Sequence, residues 1–234
     1  MNLDGARALI TGGSEGIGYG IANALAERGA VVAITGRDEA KLVAAADELG
    51  VDALRGDVGV EEDAVKTVAS FVEVHGGLDL LVNNAGFGIF KPLVEMDTES
   101  FDAVMATNVR GAFFMAREAA RHFIEQGGGH LVNISSTSGL SGGKTSTAYS
   151  GSKFALRGMT ECWRAELRPH NVRVMLVNPS EVQTPFFEKT GSAERPFSEK
   201  KLRSQEIADA IVGALEIENR GFIPEFSVFA TNPF

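Results

Sequence analysis

Ala8-Leu9-Ile10-Thr11-Gly12-Gly13-Ser14-Glu15-Gly16-Ile17-Gly18 is the stretch that decides the fold. The apolar run Ala8–Thr11 is strand-sized, and from Ile17 the apolar residues return at helical spacing as far as Arg28. The glycines lie between the two. Glycine lets a backbone turn tightly and approach a phosphate closely, and the free amides at a helix N-terminus favour its charge. A strand, a glycine-rich turn and a helix in that order predict a dinucleotide-binding unit.

Outward from this unit the same grammar repeats. Strand patterns at Val31–Thr35, Ala53–Val58 and Leu78–Asn83 alternate with helical ones at Asp38–Leu49 and Glu61–Val74, followed by a long helical stretch from Asp97 to Glu125. His130–Ser135 and Val172–Asn178 flank a helix from Thr147 to Arg168 that Pro169 closes. Runs such as Leu80-Leu81-Val82 do not alternate with polar residues, as expected of strands buried on both faces. The chain is therefore expected to be a doubly wound α/β domain of the Rossmann type, spanning 1–234 as a single unit, with a parallel sheet of about seven strands and helices on both faces. The polar, Phe-bearing segment 181–203 reads as a substrate loop or lid, Ser204 as the N-cap of a short helix, and Phe226–Ala230 as an edge strand.

Composition narrows the function. The chain has 234 residues, 44% hydrophobic and 23% charged, with no apolar run long enough to span a bilayer. A net charge of −9 argues against general affinity for nucleic acid. The first residues lack a basic segment followed by an apolar core, and the single cysteine, Cys162, has no internal partner; together they fit a cytoplasmic protein. Cys162 reads as a half-buried structural thiol. His75, His122, His130 and His170 are scattered without metal-ligand spacing and read as surface or helix-end residues, so no metal is expected.

The chemistry is suggested further along. In Tyr149-Ser150-Gly151-Ser152-Lys153 the phenol and the ammonium stand four residues apart on one helix face, with Ser136 thirteen residues upstream of the tyrosine at a strand end. A neighbouring cation favours the phenolate and should make Tyr149 more acidic, while Ser136 can hydrogen-bond the same substrate oxygen. Ser135 and Ser138 are rivals for that place. The second strand ends in Thr35-Gly36-Arg37 with no carboxylate, and a basic residue there can accept a 2′-phosphate; this favours NADP(H) over NAD(H). Glu15 opposes it, and Arg37 can instead pair with Asp38.

Taken together these residues resemble the short-chain dehydrogenase/reductase family, 3-oxoacyl carrier-protein reductases included. The likeness covers nearly the whole chain: Thr11–Gly18, Asp57-Val58, Asn83-Asn84-Ala85-Gly86, Asn108, Ser136, Tyr149 with Lys153, and Asn178-Pro179. The resemblance implies reversible hydride transfer between nicotinamide and a carbonyl or secondary alcohol. In it Tyr149 would be the acid in reduction and the base in oxidation, Ser136 would polarise the carbonyl, Lys153 would lower the Tyr149 pKa and bind the nicotinamide ribose, and Asn108 would hold a water beside Lys153. Gly12, Ser14, Glu15, Gly16, Ile17 and Gly18 would face the phosphates, Arg37, Asp57 and Val58 the adenosine, and Asn84, Ala85 and Gly86 the same side of the cofactor. Pro179, Val182 and Thr184 would lie beside the nicotinamide. The family commonly has glycine where this chain has Ser180, which leaves the backbone path there open.

The resemblance also implies a homo-oligomer, dimer or tetramer, with Phe101–Glu125 and Thr147–Arg168 packing across two-fold axes and the C-terminal strand supporting a tetramer. Phe87, Ile89, Phe90, Leu140, Phe186 and Phe187 are candidates to line an apolar substrate pocket. A 3-oxoacyl thioester is one substrate, although 125–130 lacks the basic residues that carrier-protein users tend to show, with Arg164, Arg168 and Arg173 as possible substitutes. Other small ketones, sugars and pteridines are alternatives, as are an epimerase or dehydratase and a non-enzymatic nucleotide sensor of the same fold.

Overall fold

The computed structural model describes residues 1–186 and 196–232. Seven parallel strands form one sheet in the order β3-β2-β1-β4-β5-β6-β7. They are β1 (Arg7–Thr11), β2 (Val31–Gly36), β3 (Asp52–Arg55), β4 (Leu80–Asn83), β5 (Gly129–Ile134), β6 (Val172–Pro179) and β7 (Glu225–Val228). The chain runs outward from β1 to the β3 edge, then crosses back to place β4 on the other side of β1. That reversal leaves a crevice at the carboxyl ends of β1 and β4, where doubly wound sheets bind their ligands.

Consecutive strand residues serve opposite faces. Ala8, Ile10, Ile34, Val82 and Val177 pack with α1 (Gly16–Ala26), α2 (Glu39–Leu49) and α7 (Ser204–Leu215). Leu9, Ala33, Leu81, Leu131 and Val174 pack on the other face with α3 (Glu61–His75), α5 (Ala112–Gln126) and the end of α6 (Thr147–Leu167). A buried strand with helices on both sides needs apolar residues at every position, which is why β4 carries Leu80-Leu81-Val82 without alternation. At the opposite end of the sheet Arg7 grips Asp79 with both Nε and Nη2 at 2.7 Å, while its own amide donates to the same carboxylate, fixing β1 against the start of β4.

Several expectations are corrected. The stretch read as one helix from Asp97 is three pieces: α4 (Thr98–Met105), a π-helical turn at Ala106–Gly111, and α5. Gly111 sits where a Cβ would come within 2.7 Å of Val58 Cγ2, so the turn passes hard against the loop after β3. That loop starts earlier than expected, because β3 ends at Arg55 and Asp57 and Val58 lie beyond it. Arg203, in extended conformation and donating its amide to Glu206 Oε2 at 2.8 Å, is the N-cap of α7; Ser204 is the first helical residue, packed where a Cβ on Gly20 would stand 2.8 Å from its own Cβ. Cys162, on α6, is exposed rather than half-buried. His130 is no surface residue: it lies inside β5, and desolvation, with Arg173 and the amino terminus nearby, pushes its imidazole down to about 4.

Candidate functional site

The crevice is a cleft of ≈ 650 Å³ lined along one wall by the glycine turn and along the other by Ser136, Tyr149 and Lys153. At its first end Gly12 and Gly16 adopt positive φ of 64° and 58°. Side chains are excluded there: a Cβ on Gly12 would lie 2.9 Å from Ala85 Cα, and one on Gly18 would lie 2.3 Å from Gly12 O. The turn therefore presents main chain to the cleft. Helix α1 starts at Gly16, its N-cap Glu15 is extended and makes no side-chain cap hydrogen bond, and Gly16 and Ile17 line the cleft. These features fit a pyrophosphate.

The segment after β4 is fastened to this turn. Asn84 donates from Nδ2 to Thr11 O at 2.9 Å and Gly12 O at 3.0 Å, while Thr11 Oγ1 accepts the amides of Asn84 and Ala85 at 2.9 and 3.0 Å. Asn84 is thus a structural tie as well as a cleft residue. The Thr11 hydroxyl was missed in the sequence; its signal is a polar residue ending a strand that is otherwise apolar. Beyond the end of β2, Arg37 pairs with Asp57 at 3.7 Å rather than with Asp38, which caps α2 by accepting from the Lys41 amide at 3.1 Å. Lys41 lines the cleft too. It was also missed; it lies in the first turn of α2, four residues after Arg37.

Tyr149 and Lys153 project from α6, and the loop entering that helix is braced. Thr145 holds φ at 64°, a strained value for a β-branched residue, while Ser146 Oγ bonds the Gly143 carbonyl at 2.8 Å and Ser150 Oγ at 2.8 Å. Lys153 is buried and donates to Ile134 O at 2.8 Å; desolvation pushes its ammonium down to about 8. Its Nζ lies 5.7 Å from the centroid of the Tyr149 ring. The expected acidification of the phenol is not what this geometry gives. Burial pushes the Tyr149 hydroxyl up from its ordinary value, and a hydrogen bond with Ser136 only opposes that rise.

Ser135 and Ser136 turn their hydroxyls to different partners. Ser135 turns its hydroxyl to Lys153 O at 3.4 Å, whereas Ser136 meets the tyrosine. Asn108 lies in the π-helical turn, and both ends of its amide are engaged: Oδ1 accepts from Phe87 N at 3.0 Å and Nδ2 donates to Phe87 O and Ser152 Oγ, both at 2.9 Å. Its side chain locks the loop after β4 to α6. Gly86 makes the approach possible, since a Cβ there would be 3.1 Å from Asn108 Oδ1. Val58, Ala85, Gly86, Pro179, Val182 and Thr184 all line the cleft, with Thr184 over Gly16. Ser180 continues the backbone of β6 by donating its amide to Val228 O at 2.9 Å.

Of the expected substrate-side residues, Phe87, Phe90 and Phe186 line the cleft, and Ile89 and the exposed Leu140 do not. Phe187 lies outside the described residues, as does 187–195 of the segment read as a lid. Arg164 and Arg173 are committed to backbone oxygens, at Val174, Pro224 and Asn219. Among the described residues no group of His, Cys, Asp and Glu is arranged to hold a metal, and no helix is long and apolar enough to cross a membrane.

A reversed parallel sheet with a main-chain phosphate cradle at one end of its crevice and a Ser, Tyr and Lys constellation at the other defines a dinucleotide-dependent oxidoreductase. The chain belongs to the short-chain dehydrogenase family, whose model matches residues 6–195. An uncharacterized oxidoreductase of Staphylococcus saprophyticus is 34% identical over 227 residues, covering 94% of this chain and 95% of that protein. Among solved structures, the 3-ketoacyl-(acyl-carrier-protein) reductase of Brucella melitensis complexed with NADH superposes with a TM-score of 0.90 at 28% identity, over 99% of this chain and 100% of that one. The alcohol dehydrogenase of Thermococcus sibiricus complexed with 5-hydroxy-NADP gives 0.87 at 28% identity, over 96% of each. The protein is accordingly an NAD(P)-dependent oxidoreductase acting on CH–OH and C=O groups.

Proposed function

We propose that the protein is an NADP(H)-dependent carbonyl reductase and alcohol dehydrogenase in which Tyr149 exchanges the proton and Ser136 holds the reacting oxygen. The observation that carries this reading is the meeting of Ser136 with a half-buried Tyr149 whose helix also brings Lys153 to the cleft wall. When bound, the nicotinamide supplies or accepts the hydride. Tyr149, with its pKa raised by burial, is protonated at neutral pH and so is ready to donate to a developing alkoxide in reduction. Ser136 donates a second hydrogen bond to the same oxygen, stabilising charge that grows only in the transition state. Lys153 holds a cation beneath the phenol and offers its remaining protons to a ribose, while Asn108 keeps the Phe87 backbone and α6 in register.

Arg37 and Lys41, with Ser14 on the same wall, support recognition of a 2′-phosphate, and the Arg37–Asp57 contact is long enough to be exchanged for one. Asp57 and Val58 would hold the adenine, and Pro179, Val182 and Thr184 the carboxamide, of a bound cofactor. The whole chain acts as one catalytic unit, with 181–203 as its substrate-side segment. Exposed apolar residues on α5 and α6, Phe113, Ile124 and Phe154, support association with a second copy of the chain, read out as mass in solution. A carbonyl panel assayed with NADPH and NADH in parallel tests the reading: turnover with NADPH in preference to NADH is the expected result, and absence of any carbonyl or alcohol turnover with either cofactor refutes it.

A further inference from the structure

Three aromatic rings meet at the substrate end of the cleft. Phe90, in the segment after β4, lies 5.5 Å from Tyr149 between centroids, tilted by 56°. Phe186, beyond β6, lies 5.4 Å from Tyr149 at 56°, and the two phenylalanines meet edge to face at 6.5 Å and 72°. These are the separations and tilts that aromatic quadrupoles favour. The backbone makes room for them: a Cβ on Gly88 would stand 2.8 Å from the Phe90 ring and 3.2 Å from that of Phe186. Neither phenylalanine is core filler, because both are only half-buried and line the cleft.

Charge at this end points the same way. Among the described residues lining the cleft the cations are Arg37, Lys41 and Lys153; the first two stand at the far end and the third donates to Ile134 O. Glu181, which also lines the cleft, is ion-paired with Lys201 at 2.6 Å. Among the described lining residues, a carboxylate or phosphate at this end would meet aromatic faces with no cation but Lys153.

We propose that Phe90 and Phe186 are the specificity-determining pair, forming a clamp that seats the substituent beside the reacting carbonyl. The substrate class is then a compact, neutral ketone carrying an aryl or cycloalkyl group, or the corresponding secondary alcohol. This rests on the hydride-transfer reading above. The experiment compares acetophenone, butanone, dihydroxyacetone and pyruvate with the purified full-length protein, its Phe90→Ala and Phe186→Ala variants and the conservative Phe90→Leu. Wild type should favour acetophenone over the other three. In each alanine variant the ratio of kcat/KM for acetophenone to that for butanone should fall about tenfold, mostly through KM, with Phe90→Leu between wild type and Phe90→Ala.

A preference of the wild type for dihydroxyacetone or pyruvate overturns the clamp. So do alanine variants that slow both ketones equally, which would mean that the rings only position Tyr149. If no ketone is turned over at all, the hydride-transfer reading fails, and calorimetric titration of acetophenone into the cofactor-loaded proteins reads the clamp separately: affinity in wild type that both alanine variants lose supports it, and equal affinities refute it.

Discussion

The two ends of the cleft are built from different materials. At the glycine turn the binding surface is main chain, kept bare because side chains at Gly12 and Gly18 would collide with Ala85 and with the turn itself. At the Tyr149 end it is side chain: a phenol, a hydroxyl and an ammonium withdrawn from water and held by a helix and a braced loop. The contrast teaches that recognition of a charged cofactor part needs amides and access, whereas proton transfer needs desolvated groups whose charge state is controlled.

Substitution at each end should therefore fail in its own way. Tyr149→Phe should lower kcat by about 10³–10⁴-fold while dinucleotide affinity, measured by fluorescence titration, stays close to wild type. A loss of affinity equal to the loss of turnover would erase the distinction between the two ends. Gly12→Val should do the reverse: a β-branched residue at φ 64° with its Cβ against Ala85 should weaken dinucleotide affinity by about 10²-fold or more and lower the thermal midpoint.

His130 provides a test remote from both ends. Its folded pKa of about 4 lies below the unfolded 6.5, so as pH falls the unfolded chain takes up the proton first. Stability should fall between 6.5 and 4 and level off below that. The loss is about 3 kcal/mol within that window and should be smaller in His130→Gln, as read by urea denaturation at stepped pH, with kcat unaffected in the neutral range. An identical pH profile in the two proteins would contradict the assigned burial. The smallest effect concerns cofactor choice. Arg37→Ala should cut the preference for NADPH over NADH by about tenfold, and adding Lys41→Ala should cut it further. An unchanged ratio in the double variant would remove the 2′-phosphate reading while leaving the rest of the cradle intact.

Much of this site was legible because its residues are tied to local structure. The glycine turn lies between a strand and a helix, and Tyr149 and Lys153 lie a helical turn apart, so spacing alone brings each set together. Asn108 was found by its position, but its work was not. Its ties to Phe87 and Ser152 depend on a π-helical turn that no periodicity announces, and that turn passes close to Val58 only because Gly111 lacks a side chain. His130 was misread for a related reason. A histidine at the start of a strand looks solvated until its neighbours from β4, β6 and the amino terminus are placed around it.

The direction of the Tyr149 shift shows the boundary most clearly. Sequence placed a cation one turn from the phenol and so predicted acidification, yet the tertiary structure buries the hydroxyl and sends the Lys153 proton toward Ile134 O. Covalent order by itself determined the alternation of strands and helices, the phosphate cradle and the pairing of Tyr149 with Lys153, because all three are set by backbone conformation and short-range spacing. Only the tertiary structure decided the charge balance at the phenol, the lock made by Asn108 and the rings of Phe90 and Phe186 around Tyr149. Those depend on desolvation and on contacts between segments far apart in the chain, which no local pattern encodes.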